Sequence, residues 1–404
     1  MTTLFLPCAQ GVEELLADEV GRLTGTPAEL TRGGVWVEGD ELTAMRLNLH
    51  SRLAQRVLWP LIDGPYRDEH DLYDLAGHVR WPELITAEQT LRVDVNAQRS
   101  PLRSLNFAAL RIKDAVCDQM RASVGARPSV APRHPDLPLV LFVGPEHATL
   151  YADTSGEALF KRGWREDTGE APLKETLAAA MLAAAGWQGR EQDGPLLDPC
   201  CGAGTIAIEA AQLACGIAPG ALRRFAFERM LRFRDHAAAW RTLQDEARAQ
   251  VHAPAAPVFA GDVSFRMTDF STRNAERAGV QAAIAFKTGD ALQRPAPATS
   301  GTLMVNPPYG ERIAAKGTGS AAREGFEGGG SSAEFFGGLA AHWKRHYPGW
   351  TAWLLSPDMK LPSLMRLKES RRVPMWNGPI ECRLFRFDMV AGSNKGSSAE
   401  PAAA

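Results

Sequence analysis

The residues best suited to chemistry lie in one run, Val305-Asn306-Pro307-Pro308-Tyr309-Gly310-Glu311-Arg312, at the end of a short apolar strand pattern. An exocyclic aromatic amine is a poor nucleophile because its lone pair is delocalised into the ring. A site that transfers a methyl group to it must favour a pyramidal nitrogen by accepting its hydrogens. The side-chain oxygen of Asn306 and the main-chain carbonyl of Pro307 supply two such acceptors. Consecutive prolines fix the backbone and add no amide donor to compete for the spot, while Tyr309 offers a ring on which an extruded base can stack. Catalytic roles are therefore expected of Asn306, Pro307, Pro308 and Tyr309.

A second run, Leu196-Leu-Asp198-Pro-Cys200-Cys201-Gly202-Ala203-Gly204-Thr205, is a glycine-rich turn between a buried strand and an apolar helix. Gly202 and Gly204 let the backbone approach a ligand closely, and the helix amino terminus offers unpaired N–H groups. Asp198 would repel a pyrophosphate but suits a cofactor that carries a free ammonium, as a methionine-derived adenosyl cofactor does. No Gly-Lys-Ser/Thr follows, which excludes a P-loop. Asp262, at the end of the next strand, can accept both hydroxyls of a ribose, and Asp290, at the end of the one after, can accept an adenine amino group. Any one such acid is commonly a helix cap. Three at the carboxyl ends of consecutive strands after a glycine loop mark a ligand edge. Cofactor contacts are thus expected from Asp198, Cys201, Gly202, Gly204, Thr205, Asp262 and Asp290.

Elements must hold these groups in place. From Leu173 onward, strand and helix patterns alternate: helix over 174–185 stopped by Gly186, strand 196–198, helix 205–215, strand 257–262, helix 264–278, strand 283–286, strand 302–306, helix 335–347 and strand 351–356. That rhythm predicts a doubly wound, mainly parallel sheet. The amino-terminal part reads as a mixed α+β region. It has an amphipathic helix from Gly11, a strand at 34–39, a helix over 41–58, strands at 91–95, 139–143 and 148–153, and a helix over 107–123. The stretch 127–138, with four prolines, reads as a loop. Segments 316–332 and 391–404 lack the apolar content to offset ordering entropy, and mobility is expected there.

Composition narrows the partners. A chain of 404 residues with 45% hydrophobic content can bury a large core and suits two or three domains. No uninterrupted apolar run approaches a bilayer span, so neither membrane insertion nor export is expected, and six scattered cysteines suit the reducing cytoplasm. His342 and His346, four apart on a helix, lack a third ligand, so no metal is expected. The net charge of −2 is uneven, with 7 Lys+Arg against 15 Asp+Glu over residues 1–90 and 11 against 7 over residues 91–165. The local basic excess makes Arg99, Arg103, Lys113, Arg162 and Arg165 candidate phosphate contacts.

With Asn-Pro-Pro-Tyr after the glycine loop, the carboxyl-terminal part resembles the class I, Rossmann-like S-adenosylmethionine-dependent methyltransferases that act on amino nitrogens. Residues 66–165, ending in Asp153-Thr-Ser-Gly-Glu-Ala-Leu-Phe-Lys161-Arg162-Gly163-Trp-Arg165, resemble a THUMP domain, a module that accompanies RNA-modifying enzymes. The combination with Ala171-Pro-Leu-Lys174-Glu175-Thr-Leu-Ala is similar to the large-subunit ribosomal RNA guanine-N2 methyltransferases over about residues 1–390. The resemblance implies a ferredoxin-like module over 1–65, a THUMP domain over 66–165, a methyltransferase domain over 166–390 and a disordered tail over 391–404. It implies S-adenosylmethionine as cofactor, 23S ribosomal RNA or its precursor as partner, and the N2 amino group of a guanine as target. A transfer RNA guanine methyltransferase is the nearest rival. A protein glutamine methyltransferase and a non-catalytic RNA-binding protein are further ones. The family usually has Ser at position 203 and a second Asp at position 264, where this chain has Ala203 and Ser264. Many relatives carry a second methyltransferase domain after this one, so a second activity is expected to be absent here or supplied separately.

Overall fold

The computed structural model describes residues 2–169, 172–307 and 332–390. Pro308 and Tyr309, the segment 316–331 and the tail 391–404 lie outside them. The chain runs β1 (Thr2–Pro7), α1 (Glu13–Thr24), β2 (Glu29–Thr31), β3 (Gly34–Gly39), α2 (Glu41–His50), β4 (Leu58–Pro65), α3 (Glu69–Gly77), β5 (Thr90–Ala97), α4 (Leu105–Val124), β6 (Ser129–Val130), β7 (Leu137–Val143) and β8 (His147–Asp153). It continues as α5 (Glu175–Ala185), β9 (Leu196–Asp198), α6 (Thr205–Ala214), α7 (Ala237–Ala249), β10 (Val258–Asp262), α8 (Phe265–Arg277), β11 (Ile284–Thr288) and β12 (Gly301–Val305). The last elements are α9 (Ser332–His346), β13 (Trp350–Ser356), α10 (Leu361–Met365), β14 (Arg371–Asn377) and β15 (Ile380–Asp388).

Two sheets organise these elements. The first has eight strands in the order β2-β3-β1-β4-β8-β7-β5-β6, so the amino-terminal module and the segment after it share one continuous sheet with β4 as the seam. The second has seven strands in the order β11-β10-β9-β12-β13-β15-β14. Its first five are parallel, and the antiparallel pair β14–β15 finishes one edge. Helix ends follow local chemistry. Asp40, Asp68 and Ser104 cap α2, α3 and α4 with their side chains, and left-handed Gly25, Gly125 and Gly186 stop α1, α4 and α5. Nearly every face of alanine-rich α5 is buried, as its mostly apolar circumference dictates.

Two sequence expectations need correction. The helix from Glu41 ends at His50 rather than Leu58. There the buried carboxylate of Glu19 takes the Ser51 hydroxyl at 2.7 Å and the amides of Arg52 at 2.9 Å and Leu53 at 3.3 Å, diverting the chain toward β4. The proline-rich stretch contributes β6 and the start of β7. Pro138 is tolerated because β7 pairs only with β5 at that point, β8 joining from Leu139. The hairpin β14–β15, which sequence alternation did not reveal, completes the second sheet.

Candidate functional site

An open α/β sheet binds ligands beyond the carboxyl ends of its strands where the connections reverse direction. Here the chain leaves β9 for β10 and β11 on one side and then returns to β12 on the other. Asp198 ends β9 opposite Ala260, and Asp262 ends β10 opposite Thr288, two residues before Asp290. Leu303 of β12 pairs with Leu197 of β9, so Asn306, the residue after β12, emerges on the strand next to Asp198. Sheet register alone therefore gathers Asp198, Asp262, Asp290 and Asn306 at one edge.

The glycine loop is held by backbone bonds. The Cys201 amide donates to the Gly261 carbonyl at 2.8 Å, and the Gly202 amide to the Asp262 carboxylate at 3.0 Å. Gly204 has φ +90, and a Cβ there would overlap the Ser271 hydroxyl. Gly202 has φ +51, with nothing within 4 Å of an added Cβ. No side chain caps α6, so its first amides face the crevice without that partner.

Asp198 is 1% exposed and, among the described residues, accepts only the Cys200 amide, at 3.3 Å. Burial, helped by the neighbouring Asp262 carboxylate, pushes its carboxyl up to about 8. Arg294 acts in the opposite direction but spends a guanidinium nitrogen on the Ala260 carbonyl, at 2.9 Å. Burial and the same acids raise the Cys200 and Cys201 thiols well above the ordinary range, which keeps both protonated and rules them out as thiolate nucleophiles. The Asn306 Oδ1 is buried and accepts no hydrogen bond among the described residues. Among the described residues, a buried carboxylate without a salt-bridge partner, a helix start without a side-chain cap and an amide oxygen without a donor are complementary to a ligand with an ammonium, polar hydroxyl or carboxylate groups, and an amine to be held. These residues fit a methionine-derived adenosyl cofactor and an amino substrate.

Two of the expected phosphate contacts belong to the interior. Arg162 is 2% exposed and pairs with Glu209 of α6 at 3.0 Å, with Arg52 on the same carboxylate at 3.2 Å, so it cannot reach a nucleic acid. Arg165 pairs with Glu175 at 2.7 Å and donates to the Thr205 hydroxyl at 2.7 Å, which places it behind the glycine loop. Lys113 is partly exposed and pairs with Asp114 at 2.8 Å. Arg99 and Arg103 are exposed, near the start of α4. Asn274, absent from the sequence expectations, is fully buried and donates to the carbonyls of Asp167 at 2.8 Å and Ala203 at 3.0 Å. Its only sequence signal was a polar residue within the 264–278 helix pattern. His342 bonds the Arg294 carbonyl through Nε2 at 2.7 Å, and among the described residues no three potential ligands form a metal cluster.

A doubly wound sheet with an acidic glycine loop at its switch point, followed by an orphaned Asn beside a Pro, defines a methyltransferase of the Rossmann-like kind. Comparison with known proteins makes this specific: residues 162–386 match the RMKL-like methyltransferase domain, residues 66–153 the THUMP domain and residues 3–58 the RlmL ferredoxin-like domain. The chain belongs to the RMKL-like methyltransferase family. It is 35% identical over 402 residues to the ribosomal RNA large subunit methyltransferase K/L of Shewanella amazonensis, covering 98% of this chain and 54% of that protein. With the protein of the same name from Syntrophotalea carbinolica it shares 37% over 395 residues, covering 96% and 53%. The chain thus spans about half the length of the curated relatives it matches. Among solved structures, SMU.472 complexed with SAH superposes with a TM-score of 0.83 at 24% identity, covering 96% of this chain and 98% of that one. TrmN from Thermus thermophilus gives 0.64 at 20% identity, covering 96% and 99%. Both share the fold.

Proposed function

We propose that the chain methylates the N2 amino group of a guanine in 23S ribosomal RNA, using S-adenosylmethionine and acting in the cytoplasm. The observation that carries this reading is the buried Asn306 Oδ1, which has no hydrogen-bond partner among the described residues, at the end of the strand next to Asp198. When bound, the cofactor supplies an electrophilic methyl on a sulfonium. Asp198 would hold its ammonium, Asp262 its ribose hydroxyls, and the uncapped start of α6 its remaining polar groups. Asn306 and the Pro307 carbonyl accept the hydrogens of the amine and direct its lone pair at the methyl. Methyl transfer would leave the thioether product of the cofactor, and the proton released from the methylated nitrogen would pass by way of the Asn306 and Pro307 acceptors to solvent. RNA reaches the site along the face that carries Arg99, Arg103 and Lys113. The names of the relatives support a ribosomal substrate, and the THUMP domain supports RNA as its class.

Calorimetry with SAH, combined with mass mapping of 23S and transfer RNA from a strain lacking the gene, tests the reading. The expected result is SAH binding and loss of one methylguanine from 23S RNA. A loss confined to transfer RNA overturns the substrate. Asn306→Ala is expected to bind SAH like the wild type and to lose transfer by roughly 100-fold or more, the scale for removing an oriented hydrogen-bond partner.

A further inference from the structure

A cleft of about 190 Å³ opens where three distant parts of the chain meet. Gln10 and Gln55 come from the amino-terminal module, Lys174 from the start of α5, and Trp376 from the end of β14. Both β13 and β14 pair antiparallel with β15, so β14 runs parallel to β13 and its end lies on the same edge as the carboxyl ends of β9 and β12. Lys174 precedes Glu175, which Arg165 ties to Thr205 of the glycine loop. The cleft therefore lies on the edge that carries the candidate site.

Its chemistry is selective. Among the described residues the carboxamides of Gln10 and Gln55 make no side-chain hydrogen bond, and Lys174 forms no ion pair, its ammonium lying 5.0 Å from the centre of the Phe160 ring. Among the described residues no acid lines the cleft. Trp376 is half-buried, with the Arg383 guanidinium 5.7 Å from its ring centre. Free amide donors and acceptors, an aromatic ring and one cation converge in a space smaller than the about 300 to 1,000 Å³ of a drug-sized pocket, which suits one planar, hydrogen-bonding base with its phosphate. A cationic or purely apolar group would leave these polar groups unsatisfied.

We propose that this cleft receives an unpaired base of the RNA substrate, with the amino-terminal module supplying one wall. The inference rests on the reading of the chain as an RNA methyltransferase, and the module thereby takes part in substrate recognition as well as in building the fold. The test uses the full chain and 23S RNA from cells lacking the gene, measuring filter-binding affinity for the RNA, the KM for RNA and, separately, SAH affinity. Gln55→Ala and Trp376→Ala are expected to weaken RNA binding and raise its KM about 10-fold each, with SAH affinity unchanged. Trp376→Phe is expected to recover most of the loss, because stacking needs a ring. Gln55→Ala guards against a folding defect, since the main-chain bonds of Gln55 to Pro7 and Leu159 survive the substitution. Unchanged RNA affinity in both alanine variants, as for a cleft serving a protein side chain, overturns the inference. A wild-type chain that binds RNA but not SAH overturns the methyltransferase reading instead, and the RNA titration still decides this one.

Discussion

Asp198 is a carboxylate buried beside a second carboxylate, and Arg294 offsets this only in part, so it should titrate near pH 8, far above its ordinary value of 3.8. A carboxyl raised in the folded state contributes stability that is fully present below pH 3.8 and is lost as pH rises through about 8. An arriving ammonium reverses the balance by favouring the ionised form. Binding of SAH near neutral pH is therefore expected to release a proton, visible as a dependence of the calorimetric heat on the ionisation enthalpy of the buffer. Asp198→Asn should make the ligand-free protein more stable at pH 8 than the wild type, and should weaken SAH binding by about 10- to 100-fold, the equivalent of one charged hydrogen bond. Equal affinity with no proton released would show that Asp198 does not meet the ammonium. At this scale the sequence was informative for acids and poor for arginines. Strand-end position, which spacing reveals, places Asp198 and Asp262 at the sheet edge, whereas Arg162 and Arg165 look like surface charge in sequence, yet Arg162 is buried by a partner 110 residues away in the chain and Arg165 is half-buried against Glu175.

The start of α6 shows how an element turns one residue type into a ligand surface. Gly204 adopts φ +90 immediately before the helix and lies against Ser271 of α8. Gly204→Ala combines a left-handed backbone, which costs about 1–2 kcal/mol for an L-residue, with overlap at Ser271. It should lower unfolding free energy by roughly 2–3 kcal/mol in denaturant titrations and weaken SAH binding as the loop shifts. Adding Ser271→Ala should recover only the overlap component, because the dihedral cost persists; full recovery would mean the backbone was never strained. The sequence announced this element through its glycines and through the apolar run after them. It announced less where tertiary contacts decide: α2 ends because Glu19, more than thirty residues away, captures the amides after Ser51. Likewise β14 and β15 owe their pairing to the sheet edge they close, since Arg371–Asn377 is exposed along much of its length and shows no clean apolar alternation.

Across the whole molecule, the amino-terminal modules and the methyltransferase domain are joined through buried charge. Arg52, after α2, and Arg162, after β8, share the carboxylate of Glu209 on α6, the helix that begins at the glycine loop. Arg162 also donates to the Arg52 carbonyl at 2.8 Å, so the two arginines and the acid form one closed unit. Burial lowers the Arg52 guanidinium from its ordinary range, and Glu209 is the neighbour that most opposes that shift. Such a unit adds little net stability over a well-packed apolar contact, but removing one member leaves the others charged and unsolvated. Glu209→Ala leaves two buried guanidinium groups without a counter-ion and should cost about 3–5 kcal/mol. Because Arg52 lies in the ferredoxin-like match and Arg162 at the first residue of the methyltransferase match, the loss should fall on the seam between them: unfolding of the variant is expected to split into two calorimetric transitions, with limited proteolysis near residues 160–170. Replacing Arg52, Arg162 and Glu209 together by Met, Met and Leu should restore a single transition, since no charge is then stranded. If Glu209→Ala unfolds in one transition at an unchanged midpoint, the triad does not couple the halves, and the attachment must run instead through the connecting segment that Arg165 ties to Thr205 and Asn274 ties at Asp167.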